Sequence, residues 1–336
     1  MKKTVIIVLG MHRSGTSLIA GVLNICGLFM GNKDELVSAG DGNEKGFFES
    51  KQVLEIDEEI LKRNNGVWED PPLLNVGWEE NSKLKDLYTK ADRFINKMDI
   101  QSDIWGIKEP RMCLTMPFWQ KALKGREIKY IIPVRSESDV ASSIHKRNSD
   151  ISIYRGKYLW IRYWVNILNN TSKKNRYFTF FDNYFSDWNN ELKQIIKFLN
   201  HNNITFDKRA IEIEKFISPD LRHHKSGKVT KLISEDNIYT WFNSRLNESL
   251  YEYGKKVQNE LLRLNQNKIY DEDIIVQYKK EIKDVYKKLD KMNELIERMR
   301  PDYEKFQKIR QSIPWKVINK LRKPVKRKNK TSGSKS

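Results

Sequence analysis

The stretch that most limits what this chain can become is "VIIVLGMHRSGTSLIAGVL", residues 5–23. A β-branched apolar run, Val5 to Leu9, is followed by Gly10, a polar turn, Gly15, and then Leu18, Ile19, Val22 and Leu23 at helical spacing. The pattern predicts a strand, a loop and a helix in immediate succession. Two glycines separated by four residues and followed by Thr16-Ser17 give the frame of a phosphate-binding P-loop, G-x-x-x-x-G-K-[ST], with Thr16 where the lysine would stand. A cation, Arg13, lies inside the loop instead. Such a loop holds an anion through successive backbone N–H groups and the first turn of its helix, and Ser14, Thr16, Ser17 and the fork of Arg13 add side-chain donors.

Further along, "SAGDGNEKGFFES" reads as an ordered loop leading into an amphipathic helix around Val53–Leu61. "DIWGIKEPRMCLTMPFW" gives a short strand ending at Lys108 and a turn fixed by Pro110. "IKYIIPVRSESDVASSIHKR" repeats the opening pattern, with a strand from Ile128 to Val134, a polar turn and a helix beginning near Ser138-Asp139. A strand over Tyr177–Phe181 precedes a helix over Leu192–Leu199. Strands alternating with helices predict an α/β fold of P-loop type in three layers, a central parallel sheet flanked by helices, with ligands at the carboxyl ends of the strands.

The second unit carries its own anion chemistry. Its strand delivers Arg135 at the carboxyl end, and the following helix carries Ser142 and Ser143 one turn in. Helical side chains lean toward the N-terminus, which brings Ser143 toward the same place as Arg135, and an arginine with a hydroxyl suits a second, isolated phosphate.

Charge and periodicity divide the chain. Residues 1–268 read as the P-loop domain. In 269–300, Ile275, Tyr278, Ile282, Val285, Leu289, Met292, Ile296 and Met299 follow the 3-4 spacing of a heptad seam, which suits a helix packed on the body or a homodimeric coiled coil. Residues 301–336 carry no acid beyond Glu304 and set Trp315, Val317, Ile318 and Leu321 among lysines and arginines, a pattern of an anionic-membrane-binding segment or a solvated basic tail. The formal net charge of +18 favours polyanionic partners. Specific nucleic-acid binding is disfavoured, because the basic excess is concentrated in the tail without a recognisable module. Cys26 and Cys113 are the only cysteines and suggest neither a disulfide framework nor a thiolate metal site. Lys2-Lys3 precede an apolar run too short for a signal-peptide core, and no other segment has the apolar length to span a bilayer. The expectation is a cytoplasmic protein, soluble or peripheral at the inner membrane.

Two anion sites at neighbouring strand ends, the first without lysine, resemble the P-loop sulfotransferases that use 3′-phosphoadenosine 5′-phosphosulfate (PAPS), in particular the bacterial group acting on glycans and similar cell-surface acceptors. The resemblance covers about residues 1–230 and includes "NEKGFFES", "IKEPRMCLTMPFW" and "FISPDLRHHK". It implies that Arg13, Ser14, Gly15, Thr16 and Ser17 hold the 5′-phosphosulfate, that Arg135 and Ser143 hold the 3′-phosphate, and that "LRHHK" lies over the nucleotide with Arg222 or His223 near the site. Family members commonly show Asn-Pro where this chain has Ser136-Glu137, and usually Asp where Glu109 stands.

Sulfuryl transfer needs a base for the acceptor hydroxyl and cations for the charge building on oxygen, and it requires no metal. Glu49, after the "GFF" turn, is the expected base, with His12 and His223 as rivals; its other role would be an acid favourable to the dipole of the Val53 helix. Arg13 and then Lys108 are the expected catalytic cations, and Arg111 is close enough in sequence to meet an acidic acceptor or a phosphate. "KEPR" would otherwise be a solvated turn, and His223-His224 lack the further ligands of a metal site. The acceptor, a glycan or glycolipid, would be shaped by loops between about Gly31 and Trp105 and over Arg147–Trp164, where Trp68, Trp78, Tyr154, Tyr158 and Trp160 offer rings for sugar stacking or core. The competing functions are a P-loop kinase, which would need magnesium and a nucleoside triphosphate, and a basic membrane or nucleic-acid adaptor with a vestigial loop.

Overall fold

The computed structural model describes residues 2–40, 46–72, 74, 77–172, 174–201, 204–205 and 209–217. All of them fall in the first of the two units into which the chain divides. The heptad-patterned segment, the basic tail, the 268/269 boundary, Arg222 and His223-His224 lie outside the described residues. No helix among the described residues is long and apolar enough to cross a membrane.

The elements run β1 (Thr4–Val8), α1 (Thr16–Ile25), α2 (Lys51–Arg63), α3 (Lys85–Gln101), β2 (Ile104–Lys108), α4 (Met112–Ala122), β3 (Glu127–Val134), α5 (Glu137–Arg147), α6 (Ile153–Asn170), β4 (Arg176–Phe180), α7 (Tyr184–Leu199) and α8 (Ala210–Phe216). The four strands form one parallel sheet in the order β2-β1-β3-β4. Pairing brings Val8 beside both Lys108 and Ile131, so the carboxyl ends of the first three strands finish near one another.

Alternation along the strands sends successive side chains to opposite faces. Ile6, Val8, Ile104 and Ile131 share one apolar core with Leu18, Val22 and Leu23 of α1, Leu192 and Ile195 of α7, and Ile213 of α8. On the other face, Trp105 meets Phe94 of α3 edge-on at 6.0 Å, and Phe178 stacks on Trp164 of α6 at 5.9 Å. The sheet is thus the middle of three layers. From β1 the chain turns to β2 on one side, and from β3 it proceeds to β4 on the other. The crevice between the ends of β1 and β3 is therefore the switch point of the sheet, where open α/β folds bind ligands.

Four elements depart from the sequence expectations; one is α3 (Lys85–Gln101), a 17-residue helix within the region between Gly31 and Trp105 expected as loops. Residues 147–164, expected as loop, are largely helix: α6 begins at Ile153, capped by the Ser152 hydroxyl, which accepts from Arg155 N at 3.2 Å. Trp160 is fully buried in its core-facing stripe and Tyr163 with it, which removes Trp160 from any sugar-stacking role. The turn at Pro110 runs straight into α4, which tolerates Pro117 within it and buries Met112, Cys113, Met116, Phe118 and Trp119. α7 begins at Tyr184, a full two turns before Leu192, with a kink at Asp187.

Candidate active site

The loop between β1 and α1 folds as its sequence requires. Gly15 adopts φ +95°, and a Cβ there would lie 2.3 Å from the Phe181 ring, so the position demands glycine on both counts. Arg13 also sits at positive φ, 69°, and so does Phe48, at 56°, just before Glu49. Non-glycine residues held this way cost about 1–3 kcal/mol each and cluster at functional sites. α1 starts at Thr16 with no side-chain cap and no acid in its first turn, which leaves its N-terminus suited to an external anion.

The second unit closes on this loop. Arg13 Nε donates to Ser143 Oγ at 2.9 Å, and Arg135 Nη1 donates to the carbonyl of Arg13 at 2.8 Å. The Arg135 guanidinium lies 4.4 Å over the Phe181 ring, the ring that fills the space beside Gly15. The two anion motifs thus meet at the sheet's switch point.

The third strand end adds the other half. Lys108 is 2 % exposed; its ammonium is ion-paired with Glu49 and donates to Ser17 Oγ at 3.1 Å. Glu49 is held by backbone pairing, its carbonyl accepting from Val37 N at 2.8 Å, and Ser50 leads into α2. "KEPR" is not a solvated turn: Glu109 is fully buried and Arg111 8 % exposed, joined by Arg111 Nη1 to Glu109 Oε1 at 2.5 Å. Beneath them Asp57 of α2 accepts from Thr115 Oγ1 at 2.6 Å and Trp119 Nε1 at 2.7 Å. Burial raises Asp57 to about 6 and pushes Glu109 well above the usual carboxylate range.

At this place lies a cavity of about 330 Å³. Its wall includes Arg13, Lys108, Arg111, Arg135 and Arg147, with Glu49 the sole acid among the described lining residues. Gly15, Thr16 and Ser17 line it as well, and Ser14 Oγ is buried with no hydrogen-bond partner among the described residues. Burial, and next the Arg147 charge, lower the pKa of Arg13. Burial also lowers His12 well below the ordinary imidazole value, and Arg111, Lys108, Arg147 and Arg13 add to the effect, so its ring is neutral at pH 7. His12 packs against Trp68 with ring centroids 4.3 Å apart, which makes Trp68 a wall of the loop.

Two groups escaped the sequence reasoning. Arg147 stands four residues after Ser143, one helical turn along the same face of α5, a spacing that marks it from the sequence. Asp57 and its hydrogen-bond partners Thr115 and Trp119 lie about 60 residues apart, and no motif links them.

Fold and site together define an α/β protein of P-loop type with a cation-lined cavity at the switch point of its sheet. Two solved structures are similar to the chain: a sulfotransferase domain from the Synechococcus PCC 7002 olefin synthase (18 % identity over 67 % of this chain and 85 % of that one, TM-score 0.39), and a sulfotransferase domain from the curacin biosynthetic pathway (17 % identity over 71 % and 86 %, TM-score 0.39). No family model and no curated protein matches the chain. The functional proposal that follows rests on the chain's own residues.

Proposed function

We infer that the protein is a sulfotransferase that moves the sulfuryl group of PAPS to a hydroxyl of a glycan or glycolipid. The observation that carries this is the joining of the two anion motifs: the P-loop arginine bonds Ser143, and Arg135 bonds the P-loop backbone, beside the buried Lys108–Glu49 pair. A ligand with two separated anionic ends suits that arrangement better than a single phosphate chain. Arg13 and the N–H groups of residues 14–17 bind the phosphosulfate, and Arg135 with Ser143 binds the 3′-phosphate. Arg222 is proposed to complete the nucleotide site.

Glu49 takes the acceptor's hydroxyl proton as the oxygen–sulfur bond forms and the sulfur–oxygen bond to the departing phosphate breaks. Protonation of Glu49 removes the counter-charge of Lys108, which is then available, with Arg13, to the oxygen that leaves. His12, the rival base, is kept neutral by burial and four cations, and its ring is packed against Trp68. Residues 269–300 are proposed as a homodimerising helix, and 301–336 as a segment that holds a cytoplasmic enzyme at an anionic membrane surface.

Incubation with ³⁵S-labelled PAPS and an envelope glycolipid extract, in buffer without magnesium, tests the proposal. Label is expected in the lipid-linked glycan fraction with the natural chain and not with Glu49→Gln. Label transfer from γ-³²P-ATP instead would overturn it.

A further inference from the structure

Glu49 follows a residue in a costly backbone conformation, and that residue's neighbours hold it there. Phe48 has φ +56°, in the left-handed region that residues with a Cβ seldom adopt, and such a residue persists only where its surroundings fix it. One support is the backbone: Val37 N donates to the Glu49 carbonyl at 2.8 Å, and Leu36 and Ser50 form an antiparallel bridge. The other is the Phe48 ring, which packs on the core where α1 and α8 meet. It meets the Phe216 ring of α8 edge-on with centroids 6.1 Å apart. A Cβ on Gly21 of α1 would lie 2.9 Å from the Phe48 ring and closer still to Phe216, so the absence of a side chain there lets both rings reach the helix. Phe47 and Glu49, on either side of Phe48, line the cavity.

We propose that Phe48 and Phe216 are positioning residues: their contact at Gly21 keeps Phe48 left-handed and thereby aims the Glu49 carboxylate at Lys108. That Glu49 acts as a base rests on the sulfotransferase proposal, whereas its placement against Lys108 does not. A turn about the Phe48 backbone swings the residue that follows it, so release of the ring withdraws Glu49 from the cavity first. Lys108 registers the change. Its ammonium is buried, 2 % exposed, and is ion-paired with Glu49, and an ammonium that loses its carboxylate in such a place is stable only once water reaches it. α8 has seven residues and brings Ile213 and Phe216 to the core, so a short helix far along the chain braces the segment that carries the proposed base.

Reductive methylation of the full-length protein, read at Lys108 by peptide mass spectrometry with the partly exposed Lys129 as internal reference, tests this beside turnover of ³⁵S-labelled PAPS. Phe216→Ala is expected to label Lys108 about tenfold faster with Lys129 unchanged, and to lower turnover at saturating PAPS on the order of tenfold with bisphosphate affinity within about twofold. Phe216→Leu, which keeps an apolar contact with Phe48, is expected to restore most of both. Phe48→Gly, which removes the ring and frees the backbone, is expected to act like Phe216→Ala, and the double variant like either one alone, since Phe216 acts through Phe48. Lys108 that stays protected in both single variants, or Lys108 and Lys129 that rise together in both, overturns the positioning role and leaves ordinary core packing. No sulfuryl transfer by the natural chain, with the Lys108 result as expected, overturns the sulfotransferase proposal and leaves the placement of Glu49 standing.

Discussion

On the wall built by the loops after β1 and β3, Arg13 donates to the hydroxyl of Ser143 and Arg135 to the carbonyl of Arg13; on the wall after β2, Lys108 is paired with Glu49, and Arg111 with Glu109 and Glu58. A hydrogen bond to an uncharged oxygen fixes the orientation of a guanidinium. A guanidinium anchored on a carboxylate is coupled to that carboxylate's protonation. The first wall therefore suits a fixed, multiply charged ligand that must be gripped at both ends, and the second suits a group whose charge changes during the reaction. Buried Asp57 and Glu109 extend the second wall inward, and burial raises both carboxyls above the usual range.

Breaking the second wall alone gives the largest effect. Glu49→Gln keeps the size of the side chain and removes the base, so turnover of labelled PAPS is expected to fall a hundredfold or more, in the range of about 10²–10⁴ for lost general-base catalysis. Its affinity for adenosine 3′,5′-bisphosphate, measured by calorimetry, is expected to stay within about twofold, because the grip lies on the other wall. Turnover that survives removes Glu49 from the role.

The hidden end of that wall is reached through pH. Asp57 titrates at about 6 in the folded protein against about 3.9 when unfolded. A raised folded-state value contributes stability that is complete below about pH 4 and is lost as pH rises through about 6. A tenfold difference in proton affinity between the two states corresponds to about 1.4 kcal/mol, so on the order of 2–3 kcal/mol is at stake. Urea unfolding of the natural chain and of Asp57→Asn at about pH 4.5 and about pH 7 isolates this part. The stability difference between the two proteins is expected to change between those pH values, and a constant difference would show that Asp57 does not titrate there.

The smallest effect belongs to the first wall. Ser143→Ala removes the oxygen that orients Arg13 and one donor to the proposed 3′-phosphate, and bisphosphate affinity is expected to fall about tenfold, or about 1.4 kcal/mol. Turnover at saturating PAPS is expected to hold. A fall in turnover with unchanged affinity would place Ser143 on the other wall.

What the sequence made legible follows the same division. The first wall is local: a strand, a Gly-framed turn and a helix start are written in contiguous residues, twice, and both strands and both helix starts stand within a residue or two of where the pattern puts them. The second wall is assembled from residues 49, 57 and 108–111, which no periodicity links, and their meeting depends on α2 packing against α4. α4 carries Pro117 as its sixth residue, where the missing N–H removes one bond in the middle of the helix. α3 and α6 were legible in principle. Leu87, Ala91, Phe94, Ile95 and Met98 are spaced as a plain amphipathic helix, and in α6 the same spacing is carried by Trp160, Tyr163 and Trp164; of these, Trp160 was offered for sugar stacking or core and is core. Trp68, named for its ring, lies against the loop histidine.

The central claim is that the crevice between β1 and β3 binds a nucleotide with two separated anionic ends. Thermal unfolding of the full-length protein with adenosine 3′,5′-bisphosphate, with Mg-ATP and with neither, repeated in Arg135→Ala, tests it most directly. At a hundredfold excess over its dissociation constant, a ligand that binds only the folded state adds about 2.7 kcal/mol. A rise with the bisphosphate that needs no magnesium and is lost in Arg135→Ala is the expected result. A rise with Mg-ATP and none with the bisphosphate would contradict the account and put a phosphotransferase in its place.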